Sequence, residues 1–184
     1  METASALWRR LDTPGHDACR LDESAAGWTL DGTAVFVDDE GPARLAYRVV
    51  CDRAWRTRRG RIRGWLGARR VELTVARTSA GVWVLDGGPV PGLEGCDDLD
   101  LAFTPATNLP PLRRAALAVG RAADLPVAWL DVSAGTLTVL PQRYERRSPT
   151  TYWYEAPSVG YQGLLEVASS GFIRRYPGLW DAEP

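Results

Sequence analysis

The chain has 184 residues, a net charge of −1, and 45% hydrophobic against 24% charged residues, which excludes a disordered chain and supplies a real core. All 22 cationic residues are arginine against 23 acids, so a globally basic nucleic-acid binder is excluded. Each cationic contact is a planar fork suited to carboxylate, phosphate or an aromatic face.

The first ten residues, METASALWRR, lack the cationic segment and apolar stretch of an export signal. Cys19, Cys51 and Cys96 form no CxxC, which points to reduced thiols. No apolar run approaches the ~18 residues of a membrane helix. A soluble cytoplasmic protein with a single domain over 1–184 is the expectation.

Gly and Pro punctuate the chain at short intervals, the pattern of many short strands. LWRRLD (7–12) and CRLDE (19–23) flank TPGH as a first hairpin. WTL and TAVFV (28–37) surround Asp31-Gly32, which reads as a tight turn or as a bulge within one strand. LAYRVVC then puts Leu45, Tyr47, Val49 and Cys51 on one face, and RTRRGRIRGW (56–65) and VELTVAR (71–77) follow. VWVLD (82–86), VAWLDV (127–132), TLTVL (136–140), TYWYEA (151–156), LLEVAS (164–169) and FIRRYP (172–177) complete the series.

The fold class is therefore mainly β: a large antiparallel, barrel-like meander of about eleven or twelve strands. One short α-helix is predicted at about 111–119, from Leu112, Ala115, Ala116 and Val119 at helical spacing with Gly120 as the stop. A closed sheet of more than about eight strands is wider than its side chains easily fill, so a ligand cavity is expected. The eight tryptophans, spread along the chain, are core filling or cavity lining.

The run GCDDLDLAFTPATNLPPLRR (95–114) concentrates polar groups. In an extended segment Asp98 and Asp100 share one face, and Leu99 and Leu101 the other. Pro110 and Pro111 have no N–H for a cap to bind, so Asn108 falls outside the cap of a helix starting at Pro111. Asn108, Thr104 and Thr107 must find partners in the corner itself, in Asp98 or Asp100, or in a ligand.

Ligand counting predicts no metal site, because one histidine and three scattered cysteines cannot supply paired ligands at short spacing. His16 and Asp17 with a thiol or Thr104 could assemble a nucleophilic site, although no nucleophile-elbow motif is present. Eight arginines between Arg53 and Arg70 interleave with Trp55 and Trp65, a pattern that can track phosphates and stack bases. By alternation Arg59, Arg61 and Arg63 face solvent. Arg56 and Arg58 fall on the side of Gly60, Ile62 and Gly64, where they need carboxylates or an anionic ligand.

RRLDTPGHDACRL (9–21), CDRAWRTR (51–58), the 95–114 run and YPGLW (176–180) together resemble a bacterial family named for glycolipid binding. The motif positions are His16, Asp17, Cys19, Arg20, Trp55, Arg56, Arg58, Cys96, Asp98, Asp100, Thr104, Thr107, Asn108, Arg113, Tyr176 and Trp180. The resemblance implies a large antiparallel β structure akin to lipid and lipoprotein carriers, holding an amphipathic glycolipid or lipid without a cofactor. Arg20, Arg56, Arg58 and Arg113 would grip the head of that ligand. Asp98, Asp100 and Asn108 would order those arginines or bond sugar hydroxyls, and Trp55 would stack. The rival readings are a small hydrolase or isomerase using His16 with an aspartate, and nucleic-acid binding through 53–70.

Overall fold

Strict alternation writes the longest strands of the computed structural model, which describes residues 3–184. Met1 and Glu2, where the segment read for an export signal begins, lie outside the described residues. In β4 (Gly41–Cys51), Ala43, Leu45, Tyr47, Val49 and Cys51 are buried while Arg44 and Arg48 face solvent. The same rhythm sets β1 (Thr3–Arg10), β2 (Gly15–Ser24), β3 (Gly27–Asp38), β5 (Thr57–Leu66) and β6 (Arg69–Arg77).

After them come β7 (Trp83–Leu85), β8 (Gly88–Val90), β9 (Asp98–Leu101), β10 (Ala122–Asp124), β11 (Val127–Asp131) and β12 (Thr136–Leu140). The chain ends through β13 (Arg143–Arg146), β14 (Thr151–Ala156), β15 (Tyr161–Val167), β16 (Ile173–Tyr176) and β17 (Trp180–Ala182). That makes seventeen strands where eleven or twelve were expected. The additions β8, β9, β10, β13 and β17 span only three or four residues, too few for an alternation signal.

Fourteen strands form one antiparallel sheet in the order β10-β13-β14-β15-β16-β17-β1-β2-β3-β4-β5-β6-β7-β8. Strand β17 pairs with β1, so the chain ends meet in the middle of this sheet rather than at its edge. The sheet curls without closing, with β8 and β10 left as its two ends. A second sheet, β12-β11-β9, contains the parallel pair β9–β11.

The second sheet occupies the space that a barrel of this width would leave open. Leu99 of β9 reaches the inner face of β5, where a Cβ on Gly60 would lie 2.5 Å from Leu99 Cδ2. Phe103, just beyond β9, stacks on Phe36 and meets Tyr47 edge-on, at centroid separations of 6.2 and 5.7 Å. The region inside β2–β6 is thus core built from a second layer, and the expected barrel cavity is replaced there by packed side chains.

Two local expectations are corrected. Strand β3 runs unbroken through Asp31-Gly32, with Asp31 paired to both Arg20 and Arg48, so no turn or bulge occurs there. Gly32 serves a different purpose: a Cβ on it would sit 2.3 Å from Tyr47 Cζ and 2.8 Å from the Ala18 carbonyl. The helix α1 spans Leu109–Ala115 rather than 111–119. A 3-10 turn over Pro105–Asn108, capped by the Thr104 hydroxyl on Ala106 N–H, already winds the chain before the prolines. Leu109 is helical, so the backbone bias of a residue before proline is overridden here. Ala116 then takes the left-handed conformation (φ 43°) and ends α1 four residues before Gly120.

Gly32→Ala is expected to push Tyr47 from its site and destabilise the fold by about 2–4 kcal/mol. Gly60→Ala meets only the flexible end of Leu99 and is expected to cost about 1–2 kcal/mol. Urea midpoints of the two variants test this ranking.

Candidate functional site

Three buried or enclosed carboxyl groups line the interior, each handled differently. Asp17 points inward from β2 and accepts from the Tyr47 hydroxyl at 2.9 Å and from the Thr104 hydroxyl. Burial pushes its carboxyl up to about 6 despite those donors. Neighbouring residues on a strand face opposite ways, so His16 lies on the outer surface, 3.7 Å from Glu183. The expected His16–Asp17 pair is therefore not formed. Cys19 and Cys51 are pushed up to about 12 and Cys96 to about 11, all by burial first, so these thiols are not poised as nucleophiles.

Asp98 is also buried and is raised to about 6 by burial, against the pull of Arg114, whose Nη2 donates to it at 2.6 Å. Its neighbour Asp97 gathers Arg77 at 2.8 Å, Arg56 at 3.3 Å and Arg114 at 3.5 Å. Aspartates do order arginines here, but Arg77 and Arg114 were not foreseen. Arg114 follows Arg113 on α1, and only the docking of the helix against β9 decides which of the two meets Asp98.

Asp100 has no arginine among its perturbing neighbours. Burial raises it to about 7, opposed only by a hydrogen bond with the Thr107 hydroxyl, which also accepts from Leu101 N–H at 3.1 Å. Its charge is felt by Tyr144, Tyr154 and Tyr176, part of a ring cluster whose adjacent centroids lie 4.7–5.9 Å apart. Asn108, which makes no side-chain cap bond, donates to the Tyr144 hydroxyl at 2.8 Å, and Tyr154 donates to Gln142 Oε1 at 2.8 Å. A carboxyl titrating near neutrality beside phenols can hold a proton or bond a hydroxyl.

Trp55 occupies a strained loop. Its φ is +66°, and Asp52 fixes the loop by accepting from Ala54 and Arg56 N–H while its second oxygen takes Arg58 at 2.7 Å. Arg58 sits outside the apolar face because the β4–β5 register shifts at Val50/Cys51, which turns Arg58 and Arg59 outward together. Trp55 stacks on Trp28 at 4.2 Å, and the Arg113 guanidinium lies 5.7 Å from its ring centroid. Arg20 is remote from this group, paired to Asp22 on the outer face of β2. The four expected head-gripping arginines are thus not gathered at one place.

Arg113 also borders a surface cleft of about 330 Å³ between α1 and the β14 and β15 ends. Leu112, Ala116, Tyr152 and Val167 form apolar wall, and Arg113 and Arg146 bring guanidinium groups to it. Arg113 donates to Ser170 O at 2.6 Å, passing Gly171, where a Cβ would lie 2.8 Å from Arg113 Nε. Arg146 lies over Tyr152 and donates to the carbonyls of Leu117, Ser148 and Pro149.

The sequence profile of the family described as "Putative glycolipid-binding" matches residues 5–182. The chain belongs to this family. The chain is also similar to the crystal structure of a DUF1089 family protein from Pseudomonas aeruginosa, with 27% identity, 91% of each chain covered and a TM-score of 0.81. No curated protein matches the sequence. Among the described residues no helix is long and apolar enough to cross a membrane.

The motif residues spread from the interior to the surface, with Trp55 and Arg113 half-buried between the two. Asp17, Asp98, Asp100, Thr104, Thr107, Asn108 and Tyr176 are interior, whereas His16, Arg20, Arg56 and Arg58 are exposed. The tyrosine cluster was not anticipated beyond Tyr176; the tyrosines of TYWYEA carried the one available signal.

Because the folded-state values of Asp17, Asp98 and Asp100 lie above the ordinary carboxylate value, their contribution to stability is present below about pH 4 and is lost as pH rises towards 6–7. Asp100→Asn keeps an acceptor for Thr107 and removes one ionisation. It is expected to leave stability near pH 4 almost unchanged and to raise it at pH 8, by about 4 kcal/mol at most. Urea unfolding across this pH range measures the slope.

Proposed function

We propose that this chain binds an amphipathic small molecule, a lipid or glycolipid with an anionic or hydroxyl-rich head, in the cleft between α1 and the β14 and β15 ends. The supporting observation is the cleft's composition: aliphatic and aromatic wall with two guanidinium groups, in a volume within the ~300–1,000 Å³ usual for small-molecule sites. The apolar wall takes the chain of the ligand, and Arg113 and Arg146 provide positive potential for its head. Trp55, stacked on Trp28, backs the Arg113 guanidinium and helps to hold it at the cleft. This reading moves the ligand from a barrel interior to the seam between the helix and the sheet.

Native mass spectrometry with solvent extraction of purified protein is expected to recover a bound lipid. In thermal unfolding, a lipid present at about 100 times its Kd is expected to stabilise the protein by about 2.7 kcal/mol. Ala168→Trp, at an exposed position on the cleft wall, is expected to remove that gain without lowering the midpoint of the ligand-free protein. Absence of any lipid on extraction, together with no shift across a panel of anionic and glycosylated lipids, would overturn the reading.

A further inference from the structure

One cross-strand row runs over the outer face of six consecutive strands. From β1 to β6 the register partners are Arg9, His16, Val35, Arg44, Trp65 and Arg70. At about 4.8 Å per strand the row is about 24 Å long. All six side chains are exposed, including Trp65 at 40% and Val35 at 53%. Val37 and Leu7, on neighbouring rows, are each 46% exposed and widen the apolar part.

The charge of this row is one-sided. Its six positions on β1–β6 contain no acid, although the row continues onto β17 at Asp181, opposite Arg9; Arg44 has no carboxylate partner among the described residues. Arg70 reaches Glu72 at 3.1 Å, but that carboxylate is already shared with Arg61 and Arg63. Among the described residues the carboxylate that Arg9 and His16 approach is Glu183, at 3.7 Å. In a chain of net charge −1 this concentrates cations on one face.

Single exposed apolar residues are ordinary on a protein surface; here Val35 and Val37, two apart on β3, form an exposed pair beside Arg44, and Trp65 follows one strand beyond that arginine. An indole between two arginines, with exposed valines on the far side of Arg44, matches the chemistry of a phospholipid interface. The ring sits at headgroup level, the guanidiniums meet phosphates, and the aliphatic groups meet the acyl boundary. Single-stranded nucleic acid would use the arginines and the indole but would leave Val35, Val37 and Leu7 without apolar partners. We propose that the outer face of β1–β6 docks on an anionic phospholipid surface through the Arg9–Arg70 row, with Trp65 at the headgroup level. This docking stands independently of what fills the α1 cleft.

Flotation with vesicles tests it. The full chain is expected to bind phosphatidylcholine vesicles containing phosphatidylglycerol, to bind phosphatidylcholine alone weakly, and to detach as salt is raised. Arg44→Gln and Arg70→Gln are each expected to weaken binding about fivefold, and together about twenty-fivefold. Trp65→Ala is expected to weaken it at unchanged salt dependence, while Arg143→Gln, on β13, leaves it as it was. Thermal midpoints establish that each variant is folded. Equal binding to both vesicle types, or row variants that bind like the parent, would overturn the proposal. So would displacement from vesicles by single-stranded DNA at matched charge, which would assign the row to nucleic acid. Vesicle binding by a chain that takes up no lipid in its cleft would count against the cleft reading alone, and a lipid-loaded chain that ignores vesicles against the docking alone.

Discussion

The Asp17 carboxylate, accepting from Tyr47 and Thr104, is the knot on which the interior depends. It joins β2, β4 and the corner that follows β9, residues separated by up to 87 positions along the chain. Each donor has a second duty: Thr104 also accepts from Ala106 N–H and starts the 3-10 turn, and the Tyr47 ring packs against Phe103. A buried carboxylate is costly unless hydrogen-bonded, so the corner cannot leave without stranding it. Gly32 is the geometric condition for this knot, because only a position without a side chain admits the Tyr47 ring.

With the corner held there, the second sheet becomes the filling of the curled first one. Its Leu99 and Leu101 face β5 and the core, while Asp98 and Asp100 face α1 and the tyrosines. On the polar face of β9 one oxygen of Asp98 accepts from Arg114 while its other oxygen has no hydrogen-bond partner, and Asp100 meets the Thr107 hydroxyl. Burial raises both carboxyls above the ordinary range, and only Asp98 has an arginine to oppose it. The same docking of α1 opens the cleft at its far side, since the helix stops at Ala116 and leaves Leu112 and Arg113 facing the β14–β15 ends.

The two proposed lipid-facing features lie on different parts of the molecule and use arginine differently. In the cleft, Arg113 and Arg146 are locked by backbone carbonyls and act as fixed charges. On the outer row, Arg44 and Arg70 project into solvent, where a planar fork is free to meet phosphates. A protein that collects an amphipath has a physical use for both: one surface to reach the lipid phase and one recess to shelter the molecule from water.

Much of the fold was legible from the sequence. Alternation in LAYRVVC and VELTVAR fixed strand faces because side chains on a strand repeat every two residues and one face must be dry. The helix starts at Leu109, which puts Asn108 at the N-cap position after all, but its side chain makes no cap bond there, because Pro110 and Pro111 have no N–H to offer. Partners were not legible. Asn108 meets Tyr144 and Asp98 meets Arg114 through contacts that local patterns cannot encode. Alternation also misled at Arg58, where one register shift turned two successive arginines to the same side. The sequence by itself determined which segments are extended, which face of each is apolar and where the chain must turn, because these follow from chirality, sterics and local polarity. Only the tertiary structure decided that the interior would be filled rather than hollow, which carboxylate would find an arginine, and that six strands would align arginines and an indole into one row, because these depend on register and packing between distant parts of the chain.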